Sequence, residues 1–207
     1  MASSKKLTES YKRLKRNLTR GDTLLEEFFD KPGGKVRGAG QPKGHEQELL
    51  RAVLVLTVGA IDAFLSDLLV ELLPRIAAAS PDAAVFDRIA KDNPGLVLRA
   101  LYLGSPERDA ALAEVIEAHF QSKTMHGAKA VRQVCHWCVL SLDDSAFNST
   151  NTSQTLSSLD GWTDKRHQIV HRGERIKLTR ANAGDLIKLV ESIGKTLNDG
   201  AIKALYS

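Results

Sequence analysis

The sequence predicts an all-α fold, a helical bundle, for this chain of 207 residues. Apolar residues recur at three- and four-residue steps over long stretches, which is the period of an amphipathic helix. The strict alternation of apolar and polar residues that marks a half-buried strand is not evident. Apolar residues make up 43 % of the chain. That share supports one sizeable core, so we expect a single domain over residues 1–207.

The first 43 residues are predicted to form a basic helix followed by a flexible loop. Lys and Arg fill one face of residues 5–29, and the other face carries Leu7, Tyr11, Leu14, Leu18, Leu25 and Phe28 at helical steps. The segment DKPGGKVRGAGQPKG, residues 30–44, is rich in glycine and proline and is typical of a flexible loop. The core of the domain is expected at residues 44–207.

Residues 45–73 are predicted to form the buried central helix, because this stretch is apolar almost all round. Pro74 is expected to end it, since proline interrupts a helix interior. Asp62 breaks the apolar pattern, and two interpretations stay open. Either it lies on a narrow solvated stripe with Asp67, or it is partly buried and paired. In the second case Arg166 or a histidine of the late helix is the natural partner, because an unpaired buried carboxylate is costly.

The remaining helices are separated by short breaks that contain proline, glycine or polar residues. Helices are predicted at residues 82–91, 94–103, 107–121 and 127–142, and a polar loop follows at residues 143–154. A further helix begins near Ser153 and stops at Gly173, with an inner face of Leu156, Leu159, Trp162, Ile169 and Val170. The last amphipathic helix is predicted at residues 180–205.

Charge and composition favour an anionic partner in the cytoplasm. The net charge is +4, and basic residues are in excess at residues 1–43 and 160–180. The aromatic share of 5 % disfavours single-stranded RNA modules built on stacked aromatic rings. The N-terminus has no apolar signal-peptide core, and the longest apolar run, near residues 52–61, is too short to span a bilayer. We therefore expect a cytoplasmic protein with no membrane partner.

The tetrapeptide CHWC, Cys135 to Cys138, could be a redox pair or half of a zinc site. The redox version normally lies at the start of a helix after a strand, whereas this pair falls within a predicted helix. No second CxxC occurs in the sequence. Cysteines three residues apart on a helix can both point inward as small hydrophobes, which is the favoured interpretation. A metal shared across a dimer is the alternative.

The segment TDKRHQIVHRGE, residues 163–174, concentrates histidine and basic residues. His167 and His171 lie four residues apart, which places them about 6 Å apart on one helix face, a spacing that suits two metal ligands. A zinc protease would want Glu where the sequence has Gln168, and nothing nearby supplies a third zinc ligand. Two surface histidines near a helix C-terminus are the plainer alternative, since the dipole there suits a cation. We therefore expect no metal.

Arg166, four intervening residues and His171 together form the pattern RxxxxH, with the polar His167 directly after the arginine. The pattern lies in a late helix of an all-α chain, and the apolar helix LLRAVLVLTVGAIDAFLSDLLVELL precedes it. In these features the chain resembles HEPN domains, and in particular the branch called RiboL-PSP-HEPN. The resemblance covers roughly residues 45–205. HEPN domains are small helical domains of prokaryotic toxins, phage-defence effectors and RNA-processing enzymes.

The resemblance implies an endoribonuclease that needs neither a metal nor another cofactor. His171 would do the acid–base work, Arg166 would hold the scissile phosphate, and His167 would be a secondary acid–base or orienting group. The ribose 2′-OH would be the internal nucleophile, so DNA should not be cut. Asp62 is a further candidate as a supporting residue. Candidates for the RNA backbone are Lys165, Arg172, Arg175 and the basic helix Lys5–Arg20, although an ordinary solvated basic face is the favoured explanation for each of these taken alone.

The resemblance also implies a homodimer, and an antitoxin or a defence-system protein as a possible further partner beside RNA. Five residues along a helix turn a side chain by about 500°, so Arg166 and His171 are expected to project about 140° apart. The long reach of arginine, or a looser helix near Gly173, would bring the two groups together within one chain. The family resemblance implies another solution, in which two motifs face each other across a twofold axis and two Arg/His sets line one cleft. Two other classes stay open: a HEPN module that binds RNA or a protein without cutting, and a helical interaction protein with a chance motif.

Overall fold

The fold is taken from a computed structural model, which describes residues 7–29, 44–79, 84–92, 105–121, 125–140 and 152–206, together with Pro94, Gly95, Leu98, Tyr102 and Lys123. Seven α-helices make up the bundle in this part of the chain, and none of its residues lies in a strand. The helices are α1 (Glu9–Phe29), α2 (His45–Ala79), α3 (Ala84–Asp92), α4 (Ser105–Gln121), α5 (Gly127–Trp137), α6 (Thr152–Arg172) and α7 (Arg180–Tyr206). The all-α prediction is therefore confirmed.

Most predicted helix bounds agree with the structure to within a few residues. The exception is α5, which is shorter than the predicted helix at residues 127–142. It ends at Trp137 because the chain turns at Cys138 and Val139, where Val139 takes a positive φ of 54°. Three predicted segments lie wholly or largely outside the described residues, namely the glycine-rich loop, the helix at 94–103 and the polar loop after residue 142.

The prediction that Pro74 ends the central helix is wrong, because α2 continues through Pro74 to Ala79. A proline inside a helix removes one backbone hydrogen bond and costs about 3 kcal/mol. Leu72 and Leu73 are buried just before it, and Ile76 packs against the core one turn after. Burial of these three side chains outweighs the local cost, so tertiary packing overrides the helix-breaking signal.

Helix α2 lies at the centre of the bundle and contacts α1, α4, α5, α6 and α7. Its fully buried side chains include Leu50, Val53, Ile61, Phe64, Leu65, Leu68 and Leu69. Helix α1 contributes to the same core through Leu14 and Leu18 and packs against α2 and α7. Its approach to α7 is so close that a Cβ on Gly194 would overlap the Leu14 methyl group, so glycine is required at that crossing.

Three side-chain hydrogen bonds hold the segment after α6 against the start of α2. The Gln47 amide donates to the Leu178 carbonyl at 2.8 Å and accepts from the Leu178 N–H at 3.0 Å. The Arg51 guanidinium donates to the carbonyl of Ile176 at 3.0 Å. Both Gln47 and Arg51 are buried, so these bonds satisfy groups that would be costly to leave unpaired. They fix the position of the end of α6, where the RxxxxH residues lie.

One face of α2 is exposed despite its apolar sequence. Ala52, Leu56, Gly59 and Ala63 follow one another at helical steps along this face, and Leu56 is 54 % exposed. We call these four residues the α2 stripe. By length and composition the segment His45–Ile76 could cross a membrane, and 56 % of its most apolar window is buried inside the bundle. Most apolar side chains of α2 are therefore buried in the core, and those of the α2 stripe are exposed.

Candidate active site at the end of helix α6

The last two turns of α6 carry the RxxxxH residues, with Arg166 partly buried. Gly173 takes a left-handed conformation with a φ of 65°, and the Glu174 N–H donates to the Gln168 carbonyl at 3.1 Å. These features close the helix after Arg172, which confirms the predicted stop at Gly173. His167 and His171 are both exposed in the turns before it.

Arg166 and His171 meet within one chain. The guanidinium Nη1 of Arg166 lies 3.5 Å from the imidazole Nε2 of His171. The Cα–Cβ directions diverge along the helix as expected, but the long arginine side chain bridges the angle between them. Arginine can only donate, so this long contact is a hydrogen bond only when Nε2 is unprotonated and Nδ1 carries the proton. The two groups are thus brought together without a contribution from a second chain.

His167 stands beside this pair. Its ring centre lies 4.8 Å from that of His171, and the two ring planes are inclined by 42°. The end of α6 therefore presents two imidazoles and one guanidinium at a single place on the surface. Within the described ranges, no group of three His, Cys, Asp or Glu residues is placed to hold a metal ion.

The three residues predicted for RNA-backbone binding lie near the motif in the sequence and differ in their contacts. The Lys165 ammonium lies 3.9 Å from the centre of the Trp162 ring, a cation–π contact one turn back along α6. Arg172 lies 3.9 Å from the Glu174 carboxylate in an exposed ion pair, and Arg175 is exposed. Exposed ion pairs of this kind contribute little, about 0–1 kcal/mol, so Arg172 can exchange its partner at small cost.

Asp62 is partly buried and paired, which favours the second of its two interpretations, but the predicted partner is wrong. One carboxylate oxygen accepts the backbone N–H of Met125, and the other lies 3.8 Å from Nδ1 of His126. Neither Arg166 nor a histidine of α6 pairs with it in the described structure. Asp62 thus binds the backbone and side chain of the two residues that directly precede α5. Its role in this structure is to hold α5 in place.

A second carboxylate, which sequence reasoning missed, connects α6 to the same place. Asp160 accepts the backbone N–H of Ala128 at 2.7 Å. A Cβ on Gly127 would come within 2.8 Å of the Asp160 carboxylate oxygen, and Gly127 has a φ of 83°, so glycine is required there. The acceptor and the donor are 32 residues apart, so no local pattern in the sequence could indicate the contact. It fixes α6 against α5 two turns before Arg166.

The inner face predicted for α6 is correct for Leu156 and Leu159, which are fully buried. Trp162 and Ile169 are only partly buried against the core. Val170 is 45 % exposed, so its prediction as an inner-face residue is wrong. The bundle covers the first half of α6 and leaves the end of the helix uncovered in the single chain.

The CHWC cysteines are free thiols buried in the core, Cys135 with 5 % exposure and Cys138 with none. The interpretation of both as small inward-facing hydrophobes is confirmed, with the correction that Cys138 lies in the turn after α5. Burial raises the pKa of both thiols to about 12. The thiolate is the nucleophile and the metal ligand, so neither cysteine is set up for redox or zinc chemistry.

We expect both thiols to resist labelling in the folded protein. A pKa of about 12 leaves a thiolate fraction at pH 8 about 10³-fold below that of an ordinary cysteine. Reaction with an aromatic disulfide reagent, followed by absorbance, should be slow in buffer and should label two thiols rapidly in guanidinium chloride. A thiol that reacts in buffer at the rate of free glutathione would contradict this.

Comparison with protein-family models, with curated proteins and with solved structures finds no match for this chain. What supports a function is therefore the chain's own geometry. An all-α bundle presents a guanidinium and two imidazoles together at the exposed end of one helix.

Proposed function

We propose that the chain is a metal-independent endoribonuclease of the HEPN type, acting in the cytoplasm as a toxin or phage-defence effector. The observation that carries the proposal is the 3.5 Å approach of Arg166 Nη1 to His171 Nε2 at the exposed end of α6. An imidazole supplies a group that titrates near neutral pH, and a guanidinium supplies a permanent charge for a phosphate. Transfer of a phosphoryl group to a neighbouring hydroxyl requires these two functions and no metal-bound water.

In the proposed reaction, His171 accepts the proton of the ribose 2′-OH as this oxygen attacks the phosphorus. The bond between the 2′ oxygen and phosphorus forms, and the bond from phosphorus to the 5′ oxygen of the next nucleotide breaks. Arg166 holds the non-bridging oxygens and stabilises the charge that grows on them. His167, with its ring centre 4.8 Å from that of His171, is placed to give a proton to the leaving 5′ oxygen.

Two exposed apolar surfaces support a homodimer as the active form. Val170, which lies between His167 and His171 in the sequence, is 45 % exposed, and Leu56 in the α2 stripe is 54 % exposed. Helices α2 and α6 pack against each other, so both surfaces belong to neighbouring elements. An isologous contact through them would cover apolar area and bring two Arg/His sets to one cleft. An antitoxin could silence such a toxin by covering the same surface.

The exposure of both histidines favours one alternative, a HEPN module that binds RNA or a protein without cutting. A site open to water gains less from electrostatic stabilisation than a closed one. The dimer would have to supply that closure, so a chain that stays monomeric fits the alternative better. Light scattering at micromolar concentration distinguishes the two states.

We expect RNA cleavage that persists in excess EDTA and leaves a 2′,3′-cyclic phosphate and a 5′-OH. The expectation follows from attack by the 2′-OH, with His171, Arg166 and His167 as the catalytic groups and no metal among them. The measurement is incubation with tRNA and rRNA followed by end-group analysis, with a 2′-O-methylated RNA as the uncleavable control. Loss of cutting in EDTA, or products with 5′-phosphates, would overturn the mechanism. Binding without any cutting would favour the alternative.

A further inference from the structure

A second group of basic side chains lines a hollow between α3 and α5. Arg88 comes from α3, Lys123 from the connection before α5, and His126 and Lys129 from the start of α5. The hollow measures about 350 Å³, and its other lining residues are Met125, Ala130, Gln133 and Trp137. Helix α5 begins beside Asp160, which lies eleven residues, or roughly 16 Å, along α6 from His171. The hollow is thus separate from the Arg/His pair.

Lys123 is held at this hollow by a buried histidine and a carboxylate. Its ammonium lies 2.6 Å from His119 Nε2 and 3.3 Å from the Asp92 carboxylate. The His119 side chain is 2 % exposed, and its Nδ1 lies 3.3 Å from Asp92. Burial, followed by the charge of Lys123, lowers the pKa of His119, which favours the neutral ring whose Nε2 can accept from Lys123. The three groups fix the position of the Lys123 charge.

Two other lining residues, His126 and Trp137, are positioned by contacts with side chains outside the hollow. His126 lies 3.8 Å from the Asp62 carboxylate, with 18 % of its side chain exposed. The Trp137 ring packs against Phe120 with 5.5 Å between ring centres. A ligand that met these side chains would therefore order few of them, and binding would lose little conformational entropy.

The positive charge of the hollow is not fully balanced by its carboxylates. Asp92 serves Lys123, and Asp62 serves His126. Among the described residues, neither Arg88 nor Lys129 forms an ion pair with a carboxylate, and both are exposed at the rim. Cations that converge on one hollow repel one another, and an anion between them removes that repulsion. An arginine fork and a lysine suit a phosphate group, and the Trp137 ring can stack on a base.

We propose that this hollow binds one nucleotide, with its phosphate among Arg88, Lys123 and Lys129 and its base against Trp137. The volume of about 350 Å³ lies at the small end of ligand sites and suits a single nucleotide. The same chemistry is offered by a free nucleotide and by one nucleotide of an RNA strand. The site is independent of cleavage, because it uses none of the residues at the end of α6.

The test is a titration in which the fluorescence of Trp137 reports ligand binding. The chain has two tryptophans, so Trp162→Phe leaves Trp137 as the only reporter in the full-length protein. The probes are AMP, a short 2′-O-methylated oligoadenylate that cannot be cleaved, and adenosine as the phosphate-free control. The test variant is Arg88→Ala/Lys129→Ala. Its matched control is Lys188→Ala/Lys195→Ala, which removes two exposed charges from α7.

We expect AMP to change the Trp137 fluorescence with an affinity that falls on the order of tenfold or more in the test variant and stays unchanged in the control. Binding of the oligoadenylate alone, with the same dependence on Arg88 and Lys129, supports the site and assigns it to an RNA strand. Adenosine that binds as tightly as AMP would overturn the phosphate contact. An equal loss in both double variants, or no response to either phosphate probe, would overturn the site itself.

Discussion

His171→Ala is expected to lower the rate of RNA cleavage by about 10²-fold or more, the usual scale for the loss of a general acid or base. The side chain is exposed at the end of α6, and its Nε2 lies 3.5 Å from Arg166. Its removal therefore leaves no cavity in the core, and the variant should stay folded. Single-turnover rates on one RNA in excess EDTA measure the chemical step, and circular dichroism with thermal unfolding checks the fold.

A matched control for this variant is His45→Ala, which removes an exposed histidine at the first residue of α2. It should cleave at the rate of the unsubstituted protein. His167→Ala should cost less than His171→Ala, since His171 is the assigned base and contacts Arg166. If His171→Ala cleaves within a few-fold of the unsubstituted protein, the assignment of His171 as the base is wrong. A larger loss in His167→Ala would exchange the two roles.

The elements that carry the site were predictable because their signals are local. The helix that ends at Gly173 follows from apolar spacing and from one glycine in a left-handed turn. Cys135 and Cys138 could be assigned to the core from their spacing and from the lack of a second CxxC. Exposure of the two histidines follows from their polar neighbours at the end of a helix.

The errors concern contacts between residues that are far apart in the sequence. Pro74 was predicted to end α2, but burial of its neighbours decides the matter. The partner of Asp62 depends on where α5 begins in space, and the contact from Asp160 to Ala128 depends on how α5 lies against α6. The helical period places Val170 on the inner face, yet none of the described helices buries it. Pattern alone contains no information on these relative placements.

The sequence left open whether Arg166 and His171 meet through the reach of the arginine side chain or through a dimer. A rotation of about 140° between two helix positions describes the directions of the two Cα–Cβ bonds. It does not fix where the terminal groups of the two side chains lie. An arginine side chain is long enough to cross that angle on an exposed helix end, where no neighbour blocks its path. The structure shows the first of these two outcomes, since the contact lies within one chain.

Arg166→Ala is expected to lower the cleavage rate about as much as His171→Ala, by 10²-fold or more, through lost stabilisation of the charge on the phosphate. Arg166→Lys is the matched variant, because it keeps the charge and removes the planar fork. It should recover only part of the rate. The loss should fall on the single-turnover rate at saturating RNA more than on RNA affinity, which other basic residues also support. Full activity in Arg166→Lys would mean that a point charge suffices and that the fork has no role.

The same variant decides whether the pair acts within one chain. Arg166→Ala and His171→Ala, each inactive alone, can be unfolded together, mixed and refolded so that mixed dimers form. In the mixed dimer neither chain holds an intact pair, so the 3.5 Å contact within one chain predicts no recovery of cleavage. Recovery to a substantial fraction of the unsubstituted rate would require Arg166 of one copy to serve His171 of the other. That result would place the active site between the α6 helices of two copies. The contact within one chain would then belong to the protein without bound RNA.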